Sequence, residues 1–202
     1  METKVGSIVE LIEGRFKEVA DLDLDLSVFP IPKEESSQVK TNKEKSKEHG
    51  EVFTPLWLVD HMLNKVSKSK WKDPDRVTMD MCSGYGQFSI RMIRKKFKML
   101  GPDFDLKHFL KVTHNFSELQ YSSCYKLLYI FGTGINLYIG DSMKLPELDE
   151  KDRGIMYYSE DAGKWISITN EVKAIMPKGK YNPERCESFV KDLEQITGVT
   201  ND

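Results

Sequence analysis

The chain of 202 residues is short of the features that usually announce a compartment or a ligand. Three cysteines, Cys82, Cys124 and Cys186, are far apart and odd in number. They suggest neither a disulfide framework nor a zinc site, and a reducing cytoplasm fits best. The four histidines, His49, His61, His108 and His114, hold no ligand spacing with the cysteines, so no metal is expected. No apolar run approaches the ~18 residues of a membrane helix. The first stretch also lacks a signal peptide's basic and apolar regions. A positive excess is missing too: 30 Lys+Arg face 32 Asp+Glu, a net charge of -2. Any nucleic-acid contact therefore has to come from a local patch. No serine or cysteine sits in a nucleophile elbow, and no internal repeat is visible. The length suits one domain with a small appendage and a real core.

What is present is alternation between helix and strand periods. Val5 to Ala20 places Ile8, Leu11, Ile12, Phe16 and Val19 at helical spacing. Asp21 to Leu26 alternates acid and leucine, as a short edge strand or a loop with one apolar face. Pro30 and Pro32 break the pattern. Residues 33–47 are almost all Lys, Glu, Ser, Thr, Asn and Gln, the composition of a polar linker. Lys40, Lys43, Lys45 and Lys47 allow a second reading, a basic arm touching phosphates. Pro55 suits the first turn of a helix with Thr54 as its N-cap and Leu56, Val59, Met62, Leu63 and Val66 as its stripe. Strands are predicted over Arg76–Met81, Lys111–Phe116 and Ile135–Gly140, with helices over Gln87–Met99 and Leu119–Phe131 between them. That order predicts an α/β fold, a mostly parallel, doubly wound sheet with flanking helices. Ile155 to Tyr158 and Lys164 to Ile168 predict a hairpin turning through Ala162-Gly163. Asn170–Met176 and Glu184–Ile196 predict two final helices. Four regions result: an N-terminal helix and extension (1–32), a polar linker (33–47), a core (48–150) and a C-terminal hairpin and helix (151–202). Trp57, Trp71 and Trp165 are expected in the core or at an interface.

The chemistry gathers at Asp80-Met81-Cys82-Ser83-Gly84-Tyr85-Gly86-Gln87-Phe88. An acid ends a strand, a glycine turn follows, and a helix begins. Glycine serves where the backbone bends sharply and a ligand comes close. Ser89 stands where a dinucleotide fingerprint has its third glycine, which disfavours a nicotinamide or flavin cofactor. Glu118 is placed at the end of the second strand, where a carboxylate can accept from both ribose hydroxyls of an adenosine. Asp141 ends the third strand, within reach of an adenine edge. Each acid alone reads as a helix cap or a solvated loop residue. Three on successive strand ends point to the ligand rim of an open α/β sheet.

Glu51-Val52-Phe53-Thr54-Pro55, with Leu58-Val59-Asp60 and Met62-Leu63, resembles the segment before the first strand in adenine-N6 DNA methyltransferases of phages and restriction–modification systems. The Asp80–Phe88 stretch is similar to that family's glycine loop, and the order of segments matches over roughly residues 48 to 145. The resemblance implies a Rossmann-like methyltransferase fold that binds S-adenosylmethionine. It implies Phe53, Thr54 and Pro55 over the methionine end, with Asp80, Cys82, Gly84, Gly86 and Phe88 around it. By the same resemblance Glu118 holds the ribose, Leu119 stacks on the adenine and Asp141 meets its N6, with Ser142 a further cofactor-binding residue. DNA is the implied partner and the cytoplasm, a host's if phage-encoded, the implied location.

Two departures matter. Met81 replaces the proline that normally follows the acid. More seriously, the Asn/Asp-Pro-Pro-Tyr/Phe tetrapeptide that grips the target amine has no counterpart, and no Pro-Pro pair occurs anywhere. Where it belongs stands Gly154-Ile155-Met156-Tyr157-Tyr158-Ser159-Glu160-Asp161, read as the hairpin. The alternative use of Tyr157 or Tyr158 is to stack on a base, and of Glu160 or Asp161 to accept from its amine. Catalytic residues are therefore not assigned. Three readings follow: an S-adenosylmethionine-binding enzyme of this family, a pseudo-enzyme with a regulatory or interaction role, or an enzyme completed by a homo- or hetero-oligomeric partner.

Overall fold

A computed structural model describes residues 4–23 and 54–200, with side chains from 4–20 and 54–200. Asp21 to Asp23, expected to begin a short edge strand or a loop, instead finish the first helix, while residues 24–26, the two prolines, the polar linker, the basic-arm alternative and Phe53 lie outside the described residues.

Helix α1 (Lys4–Asp23) is followed by α2 (Leu56–Asn64), the short α3 (Lys68–Lys72) and strand β1 (Thr78–Met81). Next come α4 (Gln87–Leu100), a π-helical turn (Phe109–Thr113), β2 (His114–Glu118), α5 (Tyr121–Phe131) and β3 (Asn136–Ile139). A 3-10 segment (Ser142–Glu147) leads to β4 (Ile155–Ser159), β5 (Lys164–Ser167), α6 (Thr169–Ile175) and α7 (Pro183–Thr197). β1 to β4 are parallel, and β5 returns antiparallel on β4 with Tyr158 opposite Trp165, the expected hairpin.

The strand order is β1-β2-β3-β4-β5. The sheet is mostly parallel as expected, but it is not doubly wound. The chain steps always to the same side, because β4 pairs with β3 and not with β1. Among the described residues β1 is therefore an edge, and Val77, Met79 and Met81 beside it are exposed.

One core lies between the helices and one sheet face, built from Ile90, Ile93, Phe116, Leu127, Leu137, Ile155, Phe189 and Leu193. On the other face Tyr138, Met156, Tyr158 and Trp165 form a smaller cluster, with Leu145 and Leu148 against it. Two apolar stripes differ from expectation. In α1 Val9, Ile12, Phe16, Val19 and Ala20 are buried while Ile8 and Leu11 are exposed. In α2 only Val59 and Leu63 are buried, and Met62 and Val66 are exposed. α2 packs on α4, and α1 packs on α4 and α5 together, each through one narrow stripe that spacings of three and four residues satisfy. The second strand starts three residues later than expected because Phe109–Thr113 is coiled, so Glu118 still ends it.

Candidate functional site

The turn after β1 is held by backbone before any ligand is considered. Ser83 is buried; its N–H donates to Ser117 O (2.9 Å) and its Oγ to Asp80 O (2.6 Å). Gly86 N donates to Ser83 O (2.8 Å), closing the turn. Cys82, Gly84 and Gly86 adopt φ of 54°, 52° and 79°, and Cys82 is the one non-glycine residue with positive φ among the described residues. A side chain in that region costs on the order of 1–2 kcal/mol. Gly86 has a packing reason to be glycine. A Cβ there would lie 2.5 Å from Phe131 Cε2, so the turn comes down on α5.

Glu118 is the pivot of the site. At the end of β2 it is 7% exposed, and Oε2 accepts from Gly84 N (2.7 Å). Its Oε1 accepts from Leu119 N (2.8 Å) and Gln120 N (3.0 Å), the backbone leading into α5. Gly140 N donates to the Glu118 carbonyl (3.1 Å), tying the end of β3 to the same point. Leu119 stands beside this carboxylate with about half of its surface exposed.

Asp80 is placed differently. Register sets it level with Phe116, two residues deeper than Glu118, on the same helix-facing side of the sheet. Its Oδ2 accepts from Ser89 Oγ (2.5 Å) and Ser89 N (3.1 Å), and 5% of the residue is exposed. Desolvation by burial raises its pKa to about 6, against the lowering effect of the Ser89 bonds, and the Glu118 charge adds to the rise. Ser89 Oγ also lies 2.7 Å from His114 Nε2, and His114 Nδ1 lies 2.8 Å from Thr78 Oγ1. Burial pushes the His114 pKa down to about 3, so the imidazole is neutral. One hydrogen assignment satisfies the chain: Thr78 donates to Nδ1, Nε2–H donates to Ser89, and Ser89 donates to Asp80. Phe109 stacks on the imidazole at 4.8 Å. Asp80 is thus turned inward, away from the rim.

Asp141 follows β3, where its side chain accepts from Met143 N (2.9 Å) as the cap of the 3-10 segment that Ser142 opens. Asp141 is exposed, Ser142 half-buried, and Met143 beside them 79% exposed. Phe88 is half-buried against the core. Thr54 and Pro55 precede α2, whose direction is fixed by two contacts on α4. Asp60 Oδ2 accepts from Arg91 (2.6 Å), and Leu63 O accepts from Lys95 (2.8 Å). The two helices therefore run parallel, which sets Thr54 and Pro55 at the glycine-turn end of α4. Pro55, not Thr54, is the residue at the cap position, with no side-chain bond closing it.

The structure thus brings Gly84, Glu118 and Leu119 together, with Asp141 and Ser142 on the neighbouring strand end and Asp80 beneath. Ser89 and His114, absent from the expected site, anchor it. The signal was Ser89 in the third-glycine position, a hydroxyl where a bare backbone is customary. Lys126 is a further addition: buried on α5, its Nζ donates to Tyr85 OH in the turn (2.9 Å). Among the described residues no group of three or more His, Cys, Asp or Glu is arranged to hold a metal. A shallow hollow edged by Lys191, Glu194 and Val199 lies at the end of α7 and includes none of the site residues.

Fold and site define an α/β protein in which a glycine turn and a buried carboxylate share the carboxyl rim of a mostly parallel sheet. No protein-family model, curated protein or solved structure matches the chain.

Proposed function

We propose that the chain is an S-adenosylmethionine-binding protein of the adenine-N6 DNA methyltransferase type, dependent on a partner for its target-base pocket. The observation that carries this reading is Glu118. Its carboxylate is fixed at a strand end, against the glycine turn and beside the exposed Leu119. An adenosine asks for an acceptor for its ribose hydroxyls and an apolar surface for its base; this reading assigns the first to Glu118, in exchange for one of its three backbone donors, and the second to Leu119. Asp141 and Ser142, one strand over, suit the adenine N6.

The methionine half fits in part. Gly84, Thr54 and Pro55 are at the correct end, but the Asp80 carboxylate is committed to Ser89 and does not reach a ligand. Its role is to hold the turn. The cofactor itself would supply a methyl group on a sulfonium; the chain's residues bind and orient it. Substitution Glu118→Gln is expected to abolish the melting-temperature rise that S-adenosylmethionine produces in the wild type. A wild type that does not respond would sink the proposal.

A second reading, a pseudo-enzyme with a regulatory or interaction role, is favoured by the tyrosines of β4. Tyr158 OH donates to Glu147 Oε2 (2.7 Å), and its ring meets Trp165 edge-on at 5.3 Å. Tyr157 packs against the main core. Tyr158 is thereby engaged within the fold, and Tyr157 is partly buried. Transfer of labelled methyl to duplex DNA, with and without candidate partner proteins, separates the readings: binding with no transfer under any condition leaves the pseudo-enzyme.

A further inference from the structure

The chain is acidic overall, yet its charge is segregated. Residues 56–72 and 87–100 carry nine of the 30 lysines and arginines and only one of the 32 acids, Asp60. These stretches are α2, α3 and α4, which pack on one another. In α4 the cations are not scattered. At 100° per residue Arg91, Arg94, Lys95 and Lys98 share one arc, separate from the arc of the buried Ile90, Ile93 and half-buried Phe97.

Arg91 and Lys95 secure α2 to this arc through Asp60 and Leu63 O. Beside them α2 exposes Trp57 and His61, Lys65 follows at its end four residues on, and α3 exposes Lys68, Lys70 and Lys72. Trp71 of α3 is buried, with Lys95 Nζ 5.1 Å from its ring centre, which docks the lysine-rich turn onto α4. None of Lys65, Lys68, Lys70, Lys72 and Lys98 forms an ion pair among the described residues. The neighbouring acids are engaged elsewhere: Asp75 faces His108 at 2.9 Å, and Glu13 faces Arg94 at 3.7 Å. Asp73 is exposed beside Lys72 and gives its carbonyl to Lys96. Arg91, Arg94 and Lys95 are used within the fold, whereas Lys65, Lys68, Lys70, Lys72 and Lys98 are left without an acidic partner among the described residues, and a line of phosphates complements them.

We infer that the α2–α3–α4 face is a docking surface for the phosphate backbone of duplex DNA. The inference goes beyond the cofactor site and rests on the proposed function only for the choice of DNA as the polyanion. Phosphate contacts position a protein without reading sequence, and each releases counterions, so affinity falls steeply with salt. Trp57, the exposed member of the three tryptophans, lies on this face and reports occupancy.

The test is fluorescence anisotropy of a labelled duplex of about 25 base pairs with the full chain, across a salt series. The variant Lys65→Gln, Lys68→Gln, Lys70→Gln, Lys72→Gln is expected to weaken binding at least tenfold. The slope of log K against log salt should fall by about 3–4, since four phosphate contacts at ~0.9 each are removed. Duplex addition should also quench Trp57 fluorescence, and Trp57→Phe should remove that change. A control with Lys173, Lys178, Lys180 and Lys191 changed to Gln should bind as the wild type does.

No duplex binding by the wild type overturns the inference. So does loss confined to a Lys40, Lys43, Lys45, Lys47→Gln variant, or equal binding to polyglutamate or to anionic vesicles. The melting temperature of the four-lysine variant with S-adenosylmethionine separates the two claims. A retained cofactor response with lost duplex binding supports both, and a missing cofactor response in the wild type removes the cofactor reading while the anisotropy still decides this one.

Discussion

Asp80 shows how burial changes what a strand-end acid can do. Its carboxyl has a pKa of about 6 in the folded chain against 3.8 for the ordinary side chain. The folded state therefore holds a proton that the unfolded state releases. The stability this contributes is present below about pH 3.8 and is lost as pH rises through about 6. His114 acts with the opposite sign. Its pKa of about 3 lies below the ordinary 6.5, so stability is lost as pH falls from 6.5. Asp80→Asn keeps an oxygen for Ser89 and removes only the Asp80 penalty, a gain of roughly 3 kcal/mol at most at pH 7. Urea unfolding of the pair from pH 4 to 7 should show the variant gaining on the wild type as pH rises. A constant difference would mean that Asp80 does not titrate in this window. Ser89→Ala, by contrast, strands Asp80 and His114 together, and should cost about 2–4 kcal/mol at neutral pH.

At the scale of elements, the glycine turn and α5 are one unit. Gly86→Ala places a methyl group 2.5 Å from Phe131 Cε2 at a φ of +79°. Strain and clash together predict a loss of roughly 2 kcal/mol or more, measurable by denaturant unfolding. A neutral result would show that the turn and α5 yield to each other. Elements of this kind were legible in the sequence because their signals are local. The helices over Gln87–Met99 and Glu184–Ile196, the hairpin and Glu118 as the end of the second strand all follow from period, punctuation and glycine. Two things were not legible. Which strand neighbours which depends on the tertiary pairing of β4, and nothing within Ile155–Ser159 distinguishes a place beside β3 from one beside β1. The inward turn of Asp80 depends on Ser89 and His114, nine and 34 residues away, so it is a property of packing.

Across the whole molecule, the rim proposed for the cofactor lies at the carboxyl ends of β1 to β3, while the cationic face runs along α2, α3 and α4. The two meet where Thr54, Pro55 and the start of α4 adjoin the glycine turn, so duplex on that face would lie beside the ligand end of the sheet. Occupation of the rim has a global consequence. Ligand at ~100 times its dissociation constant stabilises the fold by about 2.7 kcal/mol, which for a chain of this length raises Tm by about 5–10 °C. High salt should release duplex from the cationic face and leave this cofactor shift nearly intact, since the Glu118 contacts are buried and little screened.

The most direct measurement is calorimetric titration of S-adenosylmethionine into the wild type, Glu118→Gln and Asp80→Asn, each first shown to be folded by its melting curve. Binding in the wild type, a loss of at least tenfold in Glu118→Gln and a change of less than about threefold in Asp80→Asn are predicted; tenfold corresponds to about 1.4 kcal/mol. No heat in the wild type, or undiminished binding by the Glu118 variant, would contradict the placement of an adenosine at the end of β2.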